Sequence, residues 1–87
     1  SRARFHALNR DWNRRVAQAI ALNRKDATAE ALLPTAYALG GLIDEFLAQL
    51  YLRRDPALAA LAEDPEAVAD LLSTLWCRAA YGTLPAD

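Results

Sequence analysis

The chain has little that crosslinks or interrupts a polypeptide: one cysteine, one histidine, three glycines and four prolines in 87 residues. A lone Cys77 excludes an intrachain disulfide and leaves a zinc site without its thiolates. The only histidine, His6, has no carboxylate at positions 2, 3, 9 or 10, its neighbours on a helix, and so reads as an exposed side chain near a fraying end. Neither sign of charge dominates: ten cationic side chains stand against eleven carboxylates, for a net charge of -1. A free-standing nucleic-acid-binding domain shows a basic surplus or stripe. The whole chain does not, although its first fifteen residues are rich in arginine. No uninterrupted apolar run reaches the roughly 18 residues of a bilayer span. The opening Ser1-Arg2-Ala3-Arg4 leads into an amphipathic segment and not into a signal peptide. The expectation is a soluble cytoplasmic protein with no membrane partner and no cofactor.

What is present is alanine and leucine, with arginine, glutamate and aspartate between them. The chain is 54% hydrophobic and 24% charged, which is too apolar for a disordered tail. With so few glycines and prolines, this is an all-α composition. A domain of this size buries only about 60–65% of its unfolded surface. With no disulfide or metal to staple it, oligomerisation or packing against further chain is the expected remedy.

Three helical segments follow from the spacing of apolar residues. In the first, Arg4 to Asn23, Phe5, Leu8, Trp12, Val16, Ala19 and Ile20 recur at intervals of three and four and mark a core-facing stripe. Arg10, Asp11, Arg14, Arg15 and Gln18 fill most other positions. The segment ends at "NRKDAT", rich in turn and cap formers. Thr28 is placed to cap a helical turn through "AEALL". Pro34 then reads as a first-turn residue of a main helix running to Arg53, because its missing N–H costs nothing there. Asp55-Pro56 stops that helix. Residues 57 to 62 form a short helix or a tight connection. Asp64-Pro65-Glu66 signals a strong start for the last helix: an N-cap carboxylate, proline at the first position and an acid in the first turn. Val68, Leu71, Leu72, Leu75, Trp76 and Ala79 give its stripe. Gly82 stops it, Pro85 follows, and the tail beyond frays. Short connections make adjacent helices antiparallel.

No pattern supports an enzyme. Cys77 lies beside Arg78 in sequence, but adjacent helical residues point about 100° apart, so no cation activates the thiol. Asp44–Glu45 and Glu63–Asp64 are adjacent pairs that do not face one another. Gly40-Gly41 lacks the surrounding pattern of a phosphate loop. Arg2, Arg4, Arg10, Arg14 and Arg15 read as the solvated face of an amphipathic helix.

The middle helix carries more apolar surface than one neighbour needs. Ala36, Leu39, Gly40, Ile43, Phe46, Leu47 and Leu50 form one wide stripe, and Tyr37, Gly41, Asp44 and Ala48 form a second edge. The last helix is similar, with Leu71, Leu72, Leu75, Trp76, Ala79, Ala80 and Tyr81. Two such helices per chain point to a two-fold homodimer with a four-helix interface. Glycine and alanine at the contact would let the helices approach more closely than the usual 8–10 Å.

"AYALGGLIDEFL", a proline-marked turn and then "DLLSTLWCRAAYG" resemble the C-terminal end of TetR-family transcriptional regulators. "DWNRRVAQAI" resembles the helix that precedes them, so the likeness covers Phe5 to Gly82. The resemblance implies an all-helical homodimer whose last two long helices build a four-helix bundle. On this chain the interface residues would be Ala36, Leu39, Gly40, Ile43, Phe46, Leu47, Leu50, Leu72, Leu75, Trp76 and Ala79. It also implies a pocket for a small apolar effector, here lined by Trp12, Val16, Tyr37 and Gly41. Effector binding in that family moves N-terminal helix-turn-helix domains and releases operator DNA. Nothing in residues 1 to 87 matches that DNA-binding domain, so the chain corresponds to part of a ligand-sensing and dimerisation domain. The alternative is an unrelated helical module that binds a partner's helix in an apolar groove.

Overall fold

The computed structural model describes residues Ser1 to Gly82. It is all-α, with no strand among the described residues: α1 (Arg2–Leu22), α2 (Ala29–Leu47), a π-helical turn (Ala48–Leu52), a 3-10 turn (Pro56–Leu58), α3 (Ala59–Ala62) and α4 (Pro65–Tyr81). The expected tail beyond Gly82, with Pro85, lies outside the described residues. Two compact units are present, Ser1–Gly40 and a second from Gly41 onward, and α2 contributes to both.

In the first unit, Ser1 caps α1: its carbonyl accepts the Phe5 N–H at 3.0 Å and its hydroxyl accepts the Arg4 N–H at 3.3 Å. The helix therefore starts two residues before the expected Arg4. Its buried residues are Asn13, Ala17 and Ile20, those of α2 are Leu32, Ala36 and Leu39, and Asn13 Oδ1 lies 3.7 Å from where a Cβ at Gly40 would stand. This corrects the expected stripe. Phe5, Leu8 and Trp12 are 64%, 62% and 64% exposed, because the inward face is turned about 100° away from them. Ala19 is exposed as well, and Val16 lies between the two faces, half-buried. Of the expected stripe only Ile20 is fully inside.

The start of α2 also differs. Thr28 caps it, its hydroxyl accepting the Ala31 N–H at 3.1 Å and its carbonyl the Leu32 N–H at 3.0 Å. One continuous helix then runs through Pro34. Proline removes the N–H that would meet the Glu30 carbonyl. Both residues lie on the exposed side, where water can take that carbonyl, and so the helix survives. Because α2 starts at Ala29 and the π turn prolongs it, the helical run Ala29–Leu52 is 24 residues. Its best window has a hydropathy of 1.2, long and apolar enough to cross a membrane by length and composition. The run is not uninterrupted: Glu30, Asp44 and Glu45 lie within it.

In the second unit, Arg53 N–H reaches back five residues to the Ala48 carbonyl at 2.8 Å, which defines the π turn. The helix closes on Arg54, held at φ 50°, and on an Asp55 N–H bond to the Gln49 carbonyl at 3.1 Å. Asp55 then caps the 3-10 turn, accepting the Ala57 N–H at 2.9 Å. α3 packs against the π turn and α4. The start of α4 is as expected: Asp64 accepts the Ala67 N–H at 3.1 Å, with Pro65 in the first turn. Its end is also as expected, with Gly82 at φ 70° donating to the Arg78 carbonyl at 2.9 Å. Leu50, Val68 and Ala80 are the buried ones among the described residues of this unit.

Candidate functional site

The second unit presents one open apolar surface. The C-terminal half of α2, the π turn and α4 enclose a groove of about 300 Å³ lined by Leu42, Glu45, Phe46, Gln49, Leu71, Leu72 and Leu75. Leu42, Leu71 and Leu75 are 46%, 38% and 40% exposed, more than a helix keeps when its apolar face is covered. Along the same helices Ile43, Leu72, Ser73, Trp76 and Cys77 line a second recess of about 240 Å³. Trp76 is fixed by Tyr81, edge to face at 5.7 Å between ring centroids. Helical spacing produces this surface: Leu42 and Phe46 are four apart on α2, and Leu71 and Leu75 four apart on α4.

The expected interface residues divide into two groups. Ile43, Phe46, Leu47, Leu72 and Trp76 are half-buried, and Leu75 and Ala79 are exposed, so all seven keep surface for a second chain. Ala36 and Leu39, in the first unit, and Leu50, in the second, are 1%, 5% and 2% exposed, with almost no surface to give. Gly40 faces inward too: a Cβ built there would lie 3.7 Å from Asn13 Oδ1 on α1. Leu42 and Leu71 belong to the groove but not to the expected set. Leu42 carried a signal in its spacing to Phe46; it was hidden by the glutamate and glutamine that follow it at positions 45 and 49 on the same edge.

The residues expected to line an effector pocket can each be placed. Trp12 is open to solvent, Val16 is half-buried and Tyr37 is 38% exposed. Gly41 has open space where a Cβ would stand. None of the four lines either recess above. Nor do they line the groove of about 260 Å³ between Arg14, Gln18, Ala29, Glu30 and Leu33, or that of about 420 Å³ around Leu50, Tyr51, Arg54 and Ala59.

The charged groups are surface pairs. Arg24 holds Asp26 through two hydrogen bonds, at 3.1 and 2.7 Å. The guanidinium keeps the Asp26 carboxyl below its ordinary range, helped by a backbone hydrogen bond at Asp26 itself. Asp26 in turn raises the Arg24 pKa, chiefly through that hydrogen bond. Arg53 pairs with Glu45 across the π turn. Among the described residues no group of three or more His, Cys, Asp or Glu side chains is placed to hold a metal ion. No family model, curated protein or solved structure matches the chain.

Proposed function

We propose that this chain is the dimerisation and small-molecule-sensing part of a TetR-like transcriptional regulator, a repressor whose DNA binding an effector controls. DNA would be bound only by an N-terminal domain outside residues 1 to 87. One observation carries this reading: the open apolar surface shared by the end of α2 and α4, built on the two helices whose sequence resembles the family's dimerisation pair. A symmetric contact would bury that patch on both subunits. Leu75 sits in it at 40% exposure, so its remaining surface would be covered only in the dimer.

Sedimentation velocity at micromolar concentration tests the reading. The expected species is a dimer. Leu75→Glu should weaken it at least about tenfold, since an unpaired carboxylate desolvated at an interface costs more than about 1.4 kcal/mol. A monomer at these concentrations, or a dimer indifferent to Leu75→Glu, would refute the proposal.

A further inference from the structure

A recess of about 420 Å³ lies where the π turn meets α3, within the range of about 300–1,000 Å³ that small-ligand pockets occupy. Its wall is apolar. Leu50, 2% exposed, and Tyr51, 42% exposed, come from the π turn. α3 contributes only Ala59 and Ala62, whose methyl groups are too short to fill the space.

Arg54, on the rim, is the one non-glycine residue with a positive φ among the described residues, at 50°. Left-handed backbone crowds Cβ against the following carbonyl, and at the end of a helix it is normally glycine that adopts it. Strained residues of this kind cluster at ligand clamps and active sites. Nothing on the Arg54 side chain compensates the strain within the chain: its guanidinium makes no hydrogen bond or ion pair with a described residue. Arg53, its neighbour, is by contrast paired with Glu45. Glu63, on the same rim, is also without a partner among the described residues and does not pair with Arg54. The third charged group, Asp55, is already engaged, its Oδ1 accepting the Ala57 N–H at 2.9 Å.

These charges choose the ligand. A purely anionic molecule in the recess would meet Glu63 and Asp55, and a purely cationic one would meet Arg54. A molecule with a carboxylate and an ammonium on one apolar body satisfies both signs, because a guanidinium takes a carboxylate in a forked pair and a carboxylate accepts from an ammonium. We propose that the Tyr51–Arg54–Glu63 recess binds a free α-amino acid with an apolar side chain. Arg54 holds its carboxylate, Glu63 holds its ammonium, and its side chain lies on Leu50 and Tyr51. The inference does not rest on the α2–α4 surface or its reading.

Amide NMR on the full chain tests this, with L-phenylalanine as the probe. Phenethylamine, which lacks the carboxylate, and hydrocinnamate, which lacks the ammonium, are the controls. The expected result is saturable shifts at Tyr51, Arg54 and Ala59 with a dissociation constant of about 1 mM, the scale for about a dozen heavy atoms at an open site. Both controls should bind at least about tenfold more weakly, the scale of one lost charge pair. Arg54→Gly removes the guanidinium and the strain together. It should raise the melting temperature while weakening phenylalanine binding at least about tenfold, so the loss is not unfolding. Glu63→Gln should weaken phenylalanine and strengthen hydrocinnamate, which no longer meets that carboxylate. No saturable shift up to about 20 mM, well above the expected constant, would overturn the proposal. So would controls that bind as tightly as phenylalanine, or unchanged binding by Arg54→Gly. A lower melting temperature in Arg54→Gly would remove the strain on which the site is argued.

Discussion

Replacing Gly41 by alanine probes the continuity of α2 and what approaches it. The helix runs unbroken through Gly40 and Gly41, and glycine in a helix interior is about 0.8–1.0 kcal/mol less favourable than alanine. A Cβ at position 41 meets no atom within 4 Å, so nothing in the chain offsets the gain. Gly41→Ala should therefore stabilise the fold by about 1 kcal/mol, or roughly 4–8 °C in melting temperature for a domain of this size. At position 40 the new methyl lies 3.7 Å from Asn13 Oδ1, an ordinary van der Waals distance, and the gain should be similar. Adjacent helical side chains point about 100° apart, so the two gains should nearly add. Urea unfolding followed at 222 nm reads the change. Destabilisation by Gly41→Ala of more than about 0.5 kcal/mol would refute the continuous, uncovered helix, given the propensity scale. Sedimentation of the same variant separates a second question. A more stable chain that dimerises less well would mean that Gly41 is kept small for a second subunit. A more stable chain with unchanged association would leave the glycine without an intersubunit role.

Pro34→Ala should stabilise the chain by about 1–3 kcal/mol, because it restores a donor for the Glu30 carbonyl inside α2; no change in the urea midpoint would mean that the helix begins at Pro34 after all. Asp64→Ala removes the side-chain acceptor of the Ala67 N–H and should cost about 1 kcal/mol in the same assay. The Asp26 carboxyl should titrate below its ordinary value of 3.8, read by carboxyl-carbon NMR. A carboxylate with a lowered folded-state pKa contributes its stability above its unfolded pKa and loses it as pH falls through the folded value. The Asp26 contribution is thus complete at neutral pH and disappears only below 3.8; Asp26 is 69% exposed, so the contribution is small. Arg24→Gln should bring the midpoint back up, and an Asp26 already titrating at its ordinary value would show that the pair does not form.

The all-α class and the helix ends were legible where local chemistry decides them. Asp64-Pro65-Glu66 started α4 as read, and Gly82 stopped it in the left-handed region. Pro34 misled because a proline signal is local, whereas survival of a helix through it depends on whether the freed carbonyl reaches water. The π turn and the left-handed Arg54 had no signal either: Asp55-Pro56 announces a stop but not the hydrogen-bond spacing that leads to it. The core face of α1 failed for a different reason. Its apolar residues cover a wide arc, and hydrophobic periodicity alone does not say which edge of that arc turns inward. The inward edge is the one that carries Asn13 and Ala17 beside Ile20, an amide and an alanine that a count of apolar residues passes over.

Asn13 shows why that outcome is stable. A buried amide is tolerated only when its donors are met. Asn13 Nδ2 donates to the Asn9 carbonyl at 2.8 Å and to Asn9 Oδ1 at 3.2 Å, both on its own helix. The Nδ2 donors therefore need no partner from α2, and the Asn13 oxygen lies 3.7 Å from where a Cβ at Gly40 would stand. Turning α1 by one residue to bury Trp12 would force an indole against the Gly40 side of α2 and expose Ile20, which is now 0% exposed. Burying a full isoleucine contributes about 1.5–3 kcal/mol, and that term is lost in the turned arrangement. The burial of Ile20 and the hydrogen bonds that satisfy Asn13 within its own helix favour this rotation of α1, which leaves Phe5, Leu8 and Trp12 on the outside.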